Sequence, residues 1–142
     1  MVKILWVDDE VELLKPHVLF LQQKGYEVDT CNNGYDAIDM ASEGAYDLII
    51  LDPPAYGRGA NGEKWILEDN IGEMLDCCAR LLAPAHAFLV LNLYSMGLSS
   101  TLARTAVRQA FGAPRDEEWG ELTFTDRGGK ELPLGTYYRF VR

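Results

Sequence analysis

The side chains best placed to do chemistry in this chain are acids. Asp8, Asp9 and Glu10 follow directly on the apolar run Ile4 to Val7, and Asp52 closes the apolar run Leu48 to Leu51. Short apolar runs bounded by polar residues read as buried strands, so these carboxylates fall at strand ends. If the strands are neighbours, Asp8, Asp9 and Asp52 converge. Two carboxylates about 5 Å apart repel by roughly 3 kcal/mol at an effective dielectric of ~20. One of them must then hold its proton to higher pH, or a hard cation such as Mg2+, which prefers oxygen ligands, must sit between them. Asp52 also opens the run Asp52-Pro53-Pro54-Ala55-Tyr56-Gly57-Arg58-Gly59. Pro53 has no N–H to offer a bound group, and Tyr56 supplies an aromatic ring close behind it.

The elements that must position these residues alternate between strand and helix. Ile4 to Val7 reads as a first strand. Leu13 to Lys24 reads as a helix with Leu14, Val18 and Leu21 on one stripe; Pro16 sits in its first turn and Gly25 ends it. Glu27 to Cys31 is a second strand, and Asn33 to Glu43 a helix with Ala37, Ile38 and Ala41 inward. Leu48 to Leu51 is a third strand. Pro53 to Lys64, with Gly57, Gly59 and Gly62, reads as a long mobile loop. Leu67 to Leu82 is a helix, Ala87 to Leu93 a fourth strand, and Ser99 or Ser100 caps a further helix closed by Gly112. Glu121 to Thr125 and Thr136 to Val141 read as antiparallel strands, because the link holding Gly128, Gly129 and Pro133 is too short for a helical crossover.

This alternation predicts one three-layer, doubly wound α/β domain over residues 1–142, with a mostly parallel six-stranded sheet. Ligands in such sheets bind beyond the carboxyl ends of the strands, where Asp8, Asp9 and Asp52 fall. The chain carries a net charge of -9, which opposes binding to phosphate backbones, and no basic patch offsets it. Nucleic-acid partners are therefore not expected. Three cysteines without a C-x-x-C pair and only two histidines argue against a disulfide framework or a zinc site. Lys3 precedes an apolar run too short for a secretory signal, and no stretch approaches the ~18 apolar residues of a membrane span. A cytoplasmic monomer without membrane or protein partners is the expectation.

The front segment, residues 1–52, resembles a response-regulator receiver domain. The resemblance rests on Val7-Asp8-Asp9-Glu10, Gly25-Tyr26-Glu27-Val28, Asn33-Gly34 and Asp47-Leu48-Ile49-Ile50-Leu51-Asp52. It implies that Asp8, Asp9 and Asp52 hold Mg2+ and that Asp52 accepts a phosphoryl group, whose charge the metal neutralises. The pattern departs from the family after Asp52. Pro53 withholds a backbone donor, Asn92 stands near the place of the family's Ser or Thr with Ser95 as a late substitute, and no Lys follows the fifth strand, since Lys130 falls in the final link.

Residues 47–142 resemble the C-terminal half of a class I S-adenosylmethionine-dependent methyltransferase of the group that modifies ribosomal-RNA bases. The residues are Asp52-Pro53-Pro54-Ala55-Tyr56-Gly57-Arg58-Gly59, Leu91-Asn92-Leu93-Tyr94-Ser95 with Gly97-Leu98-Ser99, and Leu132-Pro133-Leu134-Gly135-Thr136-Tyr137-Tyr138-Arg139-Phe140. The resemblance implies that the Asp52-Pro53-Pro54 turn lies between methyl donor and target base, with Tyr56 stacking on a base. It also implies a sheet order 2-1-3-4-6-5 with the sixth strand antiparallel. The family's Gly-rich turn after the first strand is replaced by Asp8-Asp9-Glu10, and Thr30-Cys31-Asn32 stand where an acid should bind the ribose.

The two resemblances overlap at Asp47 to Asp52. The chain therefore reads as an engineered chimera, 1–52 receiver-like and 53–142 methyltransferase-like, with no complete active site, no enzymatic activity and no cofactor other than Mg2+. Two alternatives stand beside this. One is a Mg2+-binding receiver-like module with an impaired acceptor at Asp52; the other is a methyltransferase remnant with weak nucleoside binding.

Overall fold

The computed structural model describes residues 1–33, 36, 44–58, 61–94 and 97–142. The helix expected over 33–43 and the substitute Ser95 lie outside the described residues, apart from Asn33 and Asp36. The first strand, β1 (Lys3–Asp8), leads through a 3₁₀ turn (Val11–Leu14) into α1 (Lys15–Gln23). Pro16 lies in the first turn of α1, as its missing N–H requires. Gly25, at φ 89°, takes the left-handed conformation that turns the chain into β2 (Glu27–Cys31). β3 spans Leu48–Asp52.

The segment expected to be a loop is corrected next. Tyr56–Arg58 (β4) and Lys64–Ile66 (β5) pair antiparallel, with Gly57 opposite Trp65. Two prolines and three glycines mask this pairing in the sequence. Helix α2 (Leu67–Leu81) follows, then β6 (Phe88–Leu93) and α3 (Ser100–Phe111). The Ser99 hydroxyl oxygen accepts the N–H of Leu102 at 3.2 Å, an N-cap that satisfies one orphan donor of α3. The last two strands, β7 (Asp116–Thr125) and β8 (Glu131–Val141), are longer than expected. A register shift between Leu122 and Thr123 lets the ribbon continue past Pro133, which pairs with Thr123.

The six main strands run in the order β2-β1-β3-β6-β8-β7. With the small β4–β5 ribbon set aside, this is the expected order. β8 alone is antiparallel to its neighbours β6 and β7. The core lies between the sheet and the pair α2 and α3. Leu5, Ile49, Leu51, Leu89 and Leu91 are fully buried there, together with Leu75, Val107 and Tyr138. α1 lies on the other face, its His17 ring 6.3 Å from Trp6. Glu117 ties α3 to the ribbon: it accepts from Arg104 at 3.0 Å, from Arg108 and from the Tyr138 hydroxyl at 2.6 Å.

Candidate functional site: an acid cleft at the strand ends

The parallel registers bring the acids together. Asp8 ends β1 directly opposite Asp52, which ends β3. One cleft of about 110 Å³ is lined by Asp8, Asp9 and Asp52, by Asn32 beyond β2, and by Pro53, Pro54 and Tyr56 on the outgoing chain. Asp8, Asp9, Asp52, Pro53, Pro54 and Tyr56, singled out in the sequence, thus line the same cleft, whereas Glu10 does not. Burial raises the Asp52 carboxyl, and the charges of Asp8 and Asp9 raise it further, to about 6; a hydrogen bond with Asn92 pulls the other way. Asn92, on β6, thus reaches the Asp52 carboxyl. Asp8 is 9 % exposed, and one of its oxygens accepts the N–H of Glu10 at 2.8 Å.

The outer wall of the cleft was not visible in the sequence. Trp65 on β5 is 8 % exposed, and its indole N–H donates to the Pro54 carbonyl at 2.7 Å. This bond holds the β4–β5 ribbon against the Asp52-Pro53-Pro54 turn. Met74 from α2, together with Arg58 and Glu63 from the ribbon, completes the lining. The available signal was the alternation Lys64-Trp65-Ile66 after Gly62, a short strand after a turn. Tyr56 stands at the mouth and is 82 % exposed.

Among the described residues, no group of three or more His, Cys, Asp or Glu side chains is placed to hold a metal ion. Mg2+ does not need one: it keeps several waters and uses one or two carboxylates. The cleft volume suits a hydrated ion and falls short of the ~300–1,000 Å³ of drug-sized ligand clefts. S-adenosylmethionine fits poorly. The turn after β1 holds three acids and no glycine, and the Glu10 N–H, which could have faced a ligand, is taken by Asp8. At the end of β2, Cys31 donates its thiol to the Asn33 carbonyl at 2.9 Å, and burial pushes that thiol up to about 11. Cys77 and Cys78 are likewise buried and unpaired as disulfides.

No protein-family profile matches the chain. Partial matches fall among response regulators. The transcriptional regulatory protein PcoR of Escherichia coli is 46 % identical over 52 residues, 37 % of this chain and 23 % of that protein. ResD of Bacillus subtilis is 42 % identical over 50 residues, 35 % of this chain and 21 % of that protein. The chain thus spans less than a quarter of the length of these regulators. Solved structures point elsewhere. A SAM-dependent methyltransferase from Agrobacterium tumefaciens superposes with a TM-score of 0.75 at 23 % identity, covering 99 % of this chain and 56 % of that one. A SAM-dependent methyltransferase from Archaeoglobus fulgidus gives 0.58 at 8 % identity, covering 97 % and 84 %.

The composition is therefore two-part: regulator-like in sequence over about a third of its length, methyltransferase-like in fold throughout. The expectation that the chain is not an enzyme is corrected by these neighbours. Its backbone follows an enzyme scaffold over nearly its whole length, front segment included. No helix among the described residues is long and apolar enough to cross a membrane.

Proposed function

We propose that the chain is a divalent-cation-binding α/β module whose cleft takes hydrated Mg2+ on the facing pair Asp8 and Asp52, with Asp9 beside them. The observation that carries this reading is the state of Asp52: half-buried, opposite Asp8, with its carboxyl raised to about 6. A cation is the partner that relieves burial and like-charge crowding together. When bound, the ion would supply charge neutralisation at the Asp52 oxygens. The protein's own contributions follow from its residues. Asn92 orients Asp52, Trp65 fixes the Pro54 carbonyl, and Pro53 withholds the backbone donor that an anion bound to Asp52 would need. Asp52 is thus a phosphoryl acceptor in position and a poor one in surroundings. The receiver-like acids and the methyltransferase-like wall meet at Asp52, and we read the chain as a chimera joined within β3.

Calorimetric titration of the full chain with Mg2+, and with Mn2+ as a paramagnetic probe, tests the reading. Saturable binding that is lost in Asp52→Asn is expected. Absence of binding at millimolar Mg2+ at neutral pH would overturn it. The exposed ring of Tyr56 favours a second reading, weak nucleoside binding at the mouth of the cleft. Quenching of tyrosine fluorescence by adenosine, lost in Tyr56→Ala, would support that one.

A further inference from the structure

The β4–β5 ribbon carries charge in an arrangement that its own packing does not explain. Arg58 and Lys64 are direct cross-strand partners, so both side chains leave the same face of the ribbon. Like charges directly opposite each other destabilise a sheet, and a two-stranded ribbon is marginal to begin with. Both residues are exposed, and among the described residues no carboxylate lies within ion-pair distance of either. That holds even though Asp8, Asp9, Asp52 and Glu63 line the same cleft as Arg58. The Glu63 carboxylate accepts the N–H of Asn61 at 3.1 Å instead.

The two faces of the ribbon have separate tasks. Gly57 and Trp65 share the inner face, where Trp65 is buried and bonded to the Pro54 carbonyl. The Leu67 N–H, just past β5, donates to the Ala55 carbonyl at 2.9 Å and fixes the ribbon's base. Tyr56 precedes Arg58 by two residues and therefore shares its outer face. That face presents two opposed cations and one exposed ring to solvent.

We infer that the outer face binds a nucleoside monophosphate, with the phosphate shared by Arg58 and Lys64 and the base laid on Tyr56. The site rests on the second reading above for its ring; the cation pair, and the phosphate it selects, are what it adds. A phosphate between Arg58 and Lys64 turns their repulsion into charge-assisted hydrogen bonds. Arg58 offers a planar fork to two oxygens, and Lys64 a point charge to a third. Residues two apart along a strand are separated by about 7 Å, a spacing that one sugar bridges between a base and its phosphate. Stacking on Tyr56 accepts any base, so the phosphate sets the ligand class. Two adjacent cations serve one phosphate only. Beyond them the chain is acidic, with a net charge of -9, and a longer phosphate backbone has nothing to follow.

Calorimetric titration of the full chain with adenosine monophosphate, adenosine and inorganic phosphate tests this, each with Mg2+ and in chelator. Adenosine monophosphate should bind at least about tenfold more tightly than adenosine or phosphate. Arg58→Gln and Lys64→Gln should each remove that advantage and leave adenosine affinity unchanged, whereas Tyr56→Ala should weaken both nucleoside ligands and Lys24→Gln on α1 neither. Lys64→Glu replaces the opposed cations with an ion pair. It should raise the Tm of the ligand-free chain and abolish the response to adenosine monophosphate, so its loss of binding cannot come from unfolding. Equal affinity for adenosine and its monophosphate, or binding unchanged in Lys64→Glu, would overturn the inference. Tighter binding of a single-stranded oligoadenylate than of the monophosphate would overturn it too. Monophosphate binding that is equal with Mg2+ and in chelator, and still lost in Lys64→Glu, would uphold the ribbon site while counting against the metal.

Discussion

Asp8 and Asp52 face each other as the last residues of the parallel neighbours β1 and β3. That pairing, with Asp9 beside it, makes the cleft sensitive to protons. The Asp52 carboxyl titrates near 6 in the folded chain, above its ordinary value. Between a pH of about 4 and about 6, the folded state holds a proton that the unfolded chain has released. The associated stability is present below that window and lost as the pH rises through about 6. Melting curves should therefore show the Tm falling across it, and millimolar Mg2+ should restore the loss at neutral pH. A flat Tm in wild type, or one that falls equally in Asp52→Asn, would contradict the crowding.

Asp9→Asn removes one of the charges acting on Asp52 without touching the sheet register. The metal-free variant should gain about 1 kcal/mol by reduced repulsion and respond less to Mg2+. Denaturant unfolding with and without Mg2+ at fixed ionic strength measures both effects. Destabilisation of the metal-free variant would mean that the acids are not crowded.

Much of this was legible in the sequence because it depends on local pattern. Apolar runs ending in Asp8 and Asp52 mark buried parallel strands, and parallel neighbours must bring their ends together. The sheet order came from family resemblance rather than from periodicity. What was missed depends on contacts between distant residues or on masked local pattern. The β4–β5 ribbon hides behind Pro53, Pro54 and three glycines, and its anchor, Trp65 on Pro54, spans eleven residues. The full length of β7 and β8 was hidden by Pro133 and Gly135, which the register shift accommodates.

Trp65→Phe keeps the aromatic packing and deletes the donor to the Pro54 carbonyl. A loss of about 1 kcal/mol is expected, and Trp65→Ala should cost about 3–5 kcal/mol. Chemical denaturation gives both values. If the wall matters for the cleft, Mg2+ affinity should fall in Trp65→Phe as well.

Gly135 lies in β8 at φ 133°, and a Cβ there would stand 2.8 Å from the Leu93 carbonyl oxygen. Gly135→Ala should cost about 1–3 kcal/mol through backbone strain, before any displacement of β6 is counted. A near-neutral effect on the unfolding midpoint would show that the close approach of β6 and β8 is not retained in solution.

Glu117 is held well below the usual carboxylate range, at about 2, first by its bond from Arg108 and then by those from Tyr138 and Arg104. Its contribution is present above the unfolded value and lost as the pH falls from there toward about 2. Glu117→Gln should lower the Tm by several degrees at neutral pH and flatten the acid limb of the pH–stability curve. An unchanged acid limb would assign acid unfolding to other carboxylates.

The final strand in sequence is an interior strand in space. β8 lies between β6 and β7, and Arg142 exchanges backbone hydrogen bonds with Ala87 in both directions. During synthesis the ribosome must therefore release nearly every residue described here before one half of the sheet can close. Until then β6 and β7 wait with open edges, the state most exposed to intermolecular pairing. Loss of β8 would make that waiting state permanent, so a chain truncated before Glu131 is a route to aggregates rather than to a shortened fold.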